Sequence, residues 1–125
     1  MMDIYRKGWA LRYLREAKAE LEAARKIPYM APSLVLEAIR KARNAIYYSL
    51  GEPAFIEVLI RDEAGKNKPS NDPILRFLIG IEGAVQQLTK TEEINGDIMM
   101  IQADALVQIA SDVVETLTEQ CPEHQ

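Results

Sequence analysis

Six residues whose types could do chemistry fall within one short stretch of this chain: Arg40, Lys41, Arg43, Asn44, Tyr47 and Tyr48. Guanidinium and ammonium groups hold phosphates, an amide reads a base edge, and phenols stack on bases. On a helix, Arg40 and Arg43 occupy adjacent rows and Tyr47 lies four residues beyond Arg43. Tyr48 lies four beyond Asn44, so an arginine, an amide and two phenols are expected to line one groove. Tyr5, Trp9, Tyr13, Tyr29, Arg12 and Arg15 extend the same basic and aromatic character across the first third of the chain. Together they form the candidate nucleic-acid or nucleotide face. A packing explanation stands beside it: tyrosines straddle a core edge with their hydroxyls in water, and the cations decorate a solvated helix.

Other chemistries lack their residues. His124, in a polar tail, is the only histidine, and Cys121 the only cysteine. The pair is spaced like half a zinc site with no second half. The Glu-x-x-His pairs of di-iron bundles are missing. Asp112 and Glu115 are spaced for one helical face, but a single such pair is a poor magnesium site. No phosphate-cradling glycine motif occurs, and a serine nucleophile would have no positioned base. No catalytic residue, metal or cofactor is therefore assigned.

The chain has 125 residues, of which 48% are hydrophobic and 27% charged. This balance suits one globular domain able to bury a core without disulfides. A lone cysteine suits a reducing compartment. The N-terminal residues carry charges every few positions, so neither a signal peptide nor a membrane span is expected, and a cytoplasmic location is. Net charge is −4, unevenly spread. Residues 1–61 hold eleven Lys and Arg against seven Asp and Glu, while residues 62–125 hold four against twelve. That asymmetry fits either a nucleic-acid face or a basic helix pair packed on acidic helices.

These residues are positioned by helices. Ala10, Leu14, Ala17, Leu21 and Ala24 recur at helical spacing, predicting a first helix from Asp3 to Lys26. Pro28 and Pro32 break the chain. A second helix begins near Pro32, buries Val35, Ala38, Ile39, Ala42, Ile46 and Leu50, and ends at Gly51 in a left-handed turn before Pro53. Residues 54–61 have strand propensity but no partner strand, so a short helix is expected. Residues 64–72 read as a mobile polar loop. Asp72 caps, and Pro73 opens, a helix with the stripe Ile74, Phe77, Leu78, Ile81, Val85 and Leu88. Gly80 and Gly83 inside it point to close packing on another backbone, in the core or at a subunit contact. The last helix, Asp97 to Glu119, carries the stripe Ile98, Ile101, Ala105, Ile109, Val113 and Leu117, widened by Met100, Ala103, Val107, Ala110 and Val114. So wide an apolar surface needs cover on more than one side: either the helix is central or it also forms a dimer seam, and together with Gly80 and Gly83 it motivates a homodimer. Residues 120–125 read as a frayed tail. The fold class is all-α, an up-and-down bundle of four to five helices in one domain.

The segments YLREAKAELEAAR and LVLEAIRKARNAIYYSLG form an alanine-punctuated helix pair ending at a glycine, and ADALVQIASDVVETL makes a closing helix. This layout resembles the HEPN domains, small helical bundles named for nucleotide binding. HEPN ribonucleases carry an arginine and a histidine with four to six residues between them. Here Arg43 and Asn44 are followed by Tyr48 where the histidine would fall, so the usual proton carrier is missing. The resemblance implies a non-catalytic, dimeric HEPN-like scaffold acting as a binding or regulatory partner of a protein or of nucleic acid, with weak or conditional nucleic-acid binding. Two alternatives stay open: a divergent RNA-cleaving enzyme using Arg43, Asn44 and Tyr48, and an adaptor bundle with no nucleic-acid role.

Overall fold

The computed structural model describes residues 3–66, 71–90 and 96–119. Among them are five α-helices and no strand: α1 (Ile4–Lys26), α2 (Ala31–Leu50), α3 (Pro53–Ala64), α4 (Pro73–Lys90) and α5 (Gly96–Glu119). A short 3-10 turn, Pro28–Met30, joins α1 to α2. The segment with strand propensity is helical, as expected. Four helices form an up-and-down bundle whose directions follow from contacts along their lengths. Lys41 meets Glu16 and Glu20, whereas Tyr48, later in α2, stacks on Trp9 and Tyr13, so α2 runs antiparallel to α1. Lys18 donates to Ser111 and Arg25 pairs with Asp104, so α5 also opposes α1. Tyr47 meets Glu82, while Leu50 shares a groove with Ile74 and Phe77, so α4 opposes α2. The short α3 packs on α4 and α2.

The helix starts are capped as their sequences require. Asp3 accepts from the Arg6 amide at 2.7 Å, and Asp72 from the Ile74 amide at 2.9 Å. The end of α2 departs from expectation. Gly51 has φ 177° and ψ −164°, extended rather than left-handed. A Cβ there would stand 3.0 Å from Ile56 Cδ1, so the close approach of α3's first buried residue, not a turn, is what the glycine serves.

The core is built on alanines. Ala10, Ala17 and Ala24 of α1, Ala38, Ala42 and Ala45 of α2, and Ala103 and Ala110 of α5 are all buried. Small side chains let helix backbones approach closely, so α1 and α2 form the most intimate pair and α2 also reaches α5 across the bundle. That diagonal contact pulls α5 away from α4, and the two barely meet.

This shear corrects the reading of α5. Its buried face is Met99, Ala103, Leu106, Val107, Ala110 and Val114. The expected leading stripe turns outward: Ile98 is 53% exposed and Ile101 68% exposed, Ala105 and Ile109 are exposed, and Val113 and Leu117 are half-buried. The alanine faces of α1 and α2 leave room only for the alanine-bearing side of α5, so the isoleucines are left outside. In α4, Leu78, Ile81 and Val85 are buried, whereas Ile74 and Phe77 are exposed. Nor do Gly80 and Gly83 pack on a backbone among the described residues. A Cβ at either position would meet nothing within 4 Å. Of the expected mobile loop, residues 67–70 lie outside the described residues, as does the expected frayed tail 120–125 with Cys121 and His124.

Candidate functional site

The six candidate residues are not gathered on one surface. Helix α2 is packed on both sides, so residues one position apart are sent toward different neighbours. Arg40 is exposed and pairs with Glu37 of its own helix at 2.9 Å. Lys41 turns to α1, where Glu16 lies at 3.1 Å and Glu20 accepts a hydrogen bond. These contacts raise the Lys41 pKa, chiefly through Glu20, and lower that of Glu16, chiefly through Lys41. Arg43 turns to α4, with Glu82 at 3.6 Å. The three cations thus face four carboxylates on three different helices, and a shared phosphate run along α2 is not formed. Asn44 is half-buried. Tyr47 and Tyr48 diverge likewise, the first into the α4 interface and the second onto α1.

Tyr48 joins an aromatic ladder. Its ring lies 6.0 Å from Trp9 and 5.7 Å from Tyr13, both at 18° between planes. Tyr5 meets Trp9 edge-on at 6.4 Å, and Arg12 sits 5.2 Å over the indole. Burial, and then the neighbouring phenols of Tyr13 and Tyr5, push the Tyr48 hydroxyl above its usual pKa. Tyr5, at the open end of the ladder, is 65% exposed. Tyr29 stands apart and exposed, in no ring contact. The packing account of the tyrosines therefore holds for most of the ladder, and a stacking surface remains at its Tyr5 end.

Tyr47 has no exposed surface, and its phenol donates to Glu82. Burial, and then this carboxylate, push its pKa far above the ordinary value of 10. A phenol held protonated is a hydrogen-bond donor and neither a base nor a nucleophile at neutral pH. Glu82 also accepts from Gln86 at 3.4 Å. The Arg43 Nε is buried without a partner. This cluster forms one wall of a half-open cleft of about 370 Å³ between α3 and α4. No family model, curated protein or solved structure matches this chain. The geometry therefore carries the functional reading. Among the described residues, no three His, Cys, Asp or Glu side chains gather as a metal site, and no helix is long and apolar enough to cross a membrane.

The largest feature that the sequence-based site omits is the open seam between α4 and α5. Two apolar troughs run along it. One, of about 440 Å³, is lined by Leu50, Ile74, Phe77, Val113 and Leu117. The other, of about 330 Å³, is lined by Ile81, Ala84, Leu88, Leu106 and Ile109. The excess width of the α5 stripe was the signal for this surface. Its position could not be read, because it depends on which side of α5 the alanines of α1 and α2 claim.

Proposed function

We propose that the chain is a non-catalytic helical binding domain, HEPN-like in its α1–α2 pair, that forms a homodimer through the α4–α5 seam and serves as a regulatory or binding partner in the cytoplasm. The observation that carries this reading is the exposed apolar row Ile98, Ile101, Ala105 and Ile109 beside Phe77 and Ala84. Continued by Val113 and Leu117, the row runs about 28 Å from Ile98 at the helical rise, and two helices side by side span about 20 Å. A face of that size is of the order of the ~800 Å² per partner that a stable interface buries. One polar member favours a second copy. Gln102 lines the second trough, and an amide both donates and accepts, so it can pair with its own image. Among the described residues, Asp112 is the one charged side chain lining either trough, which keeps like-charge repulsion low between two acidic chains. Glycine at position 80, on the outer flank beside Phe77 and Ala84, leaves room for the approaching partner. Arg43 and Tyr48 point to different neighbours, so the arrangement does not support RNA cleavage by that pair.

The test is light scattering on the wild type and on the variant Ile101→Glu with Ile109→Glu. Both positions are exposed, so the monomer fold should be kept and its helicity unchanged. The expected result is a wild-type dimer at tens of micromolar and a monomeric variant. A monomeric wild type at that concentration would overturn the proposal.

One observation favours a nucleic-acid role as a second reading: the exposed end of the aromatic ladder, with Arg12 over Trp9. Stacking of a base on Tyr5 would give binding that weakens with salt and is lost in Tyr5→Ala. A titration with single-stranded RNA at low and moderate salt reads this directly. No binding at low salt leaves the adaptor role alone.

A further inference from the structure

The α3–α4 cleft has three features that the dimeric reading does not use. First, Gly83 lines it, and a Cβ there would meet nothing within 4 Å. A helix-interior glycine costs about 1 kcal/mol relative to alanine, and among the described residues no packing offsets that cost. Second, Glu57 and Arg61 lie one turn apart on α3 and both line the cleft. That spacing and order favour an ion pair, yet they form none among the described residues, and neither meets another charged group. Third, the remaining polar groups are already committed: Tyr47 donates to Glu82, which also faces Arg43 and Gln86. Ile60 and Ile79 supply apolar surface between the charges.

We propose that this cleft binds a small zwitterion with an aliphatic body, an amino-acid-like molecule. Its ammonium goes to Glu57 and its carboxylate to Arg61. Its side chain lies on Ile60 and Ile79 in the space over Gly83. The two lip charges are about 6 Å apart along the helix axis, which suits a ligand bearing both signs on neighbouring atoms. A ligand with a single charge would leave one lip residue without a partner, and the cleft as a whole carries as many cations as carboxylates once Arg43 is counted. The inference stands independently of the homodimer.

Leucine is the probe, followed through the backbone amide signal of Gly83 in the full chain by NMR. Isopentylamine and 4-methylpentanoate, each keeping one of leucine's charges, are the controls. The expected result is saturable binding in the millimolar range, about tenfold tighter than either control. Glu57→Gln and Arg61→Gln should each weaken leucine binding by about tenfold. Gly83→Phe should abolish it without loss of helicity, since the new ring enters open space. For that variant, binding is followed through the Gly80 amide. No saturable shift, equal binding of either single-charge control, or undiminished binding by Gly83→Phe would each overturn the proposal.

Discussion

Truncating Tyr47 to alanine is expected to destabilise the fold by about 3–5 kcal/mol, the range for losing a large buried ring and leaving a cavity. Tyr47 is the largest fully buried side chain among the described residues, and it fills the junction of α2 and α4. The change also removes the donor to Glu82, leaving that carboxylate with Arg43 at 3.6 Å and Gln86 at 3.4 Å. Tyr47→Phe separates the two effects. It keeps the ring and loses only the hydroxyl, so a cost of about 1–3 kcal/mol isolates the hydrogen bond to a charged acceptor. The two variants should also differ from wild type in pH dependence. The folded-state pKa of Tyr47 is raised above its ordinary value of 10. Its contribution is therefore fully present below pH 10 and is lost as pH rises above it, because the unfolded chain releases that proton first. The limiting slope is about 1.4 kcal/mol per pH unit for one group. Tyr48 and Lys41 are also raised, so wild type declines at high pH for more than one reason. The difference between wild type and Tyr47→Phe is what reports Tyr47, and it should shrink above pH 10. Urea unfolding monitored by circular dichroism between pH 7 and 11 measures it. A difference that stays constant with pH would show that the phenol is not held protonated by the fold.

Enlarging Ala42 to leucine is expected to cost about 1–3 kcal/mol or more, although leucine is nearly as good a helix former as alanine. Ala42 has no exposed surface and lies on the alanine face of α2. Three added carbons there must push α2 away from its neighbours, since the backbones are close only because these side chains are small. Thermal unfolding should show a lower midpoint. The same change at Ala105, exposed on α5, should leave the monomer's stability within a few tenths of a kcal/mol. Equal effects at the two positions would contradict the assignment of which face of α5 is buried.

The contrast between Ala42 and Ala105 marks where the sequence is informative and where it is not. Helix boundaries were legible where local chemistry marks them: Asp72 caps α4 and Pro73 opens it, and α2 stops at Gly51 before Pro53. The buried face of α1 was legible because one stripe of it keeps an unbroken helical period, and Ala10, Leu14, Ala17, Leu21 and Ala24 are all in the core. The up-and-down, all-α class followed from the same periodicity. In α5 the apolar residues reach nearly all the way round, so periodicity allowed more than one inner face. The choice was made by the alanines of α1 and α2, which admit small residues and leave Ile98 and Ile101 outside. The candidate site met the same limit. The spacing of Arg40, Lys41, Arg43, Asn44, Tyr47 and Tyr48 determined that they share two turns of one helix. Their separation was decided by Glu16, Glu20 and Glu82, contributed by helices distant in sequence, and by Trp9 and Tyr13. Capping and periodicity act over a few residues and can be read along the chain. Which charge meets which, and which apolar face stays open, depends on long-range packing, and only the tertiary structure decided it.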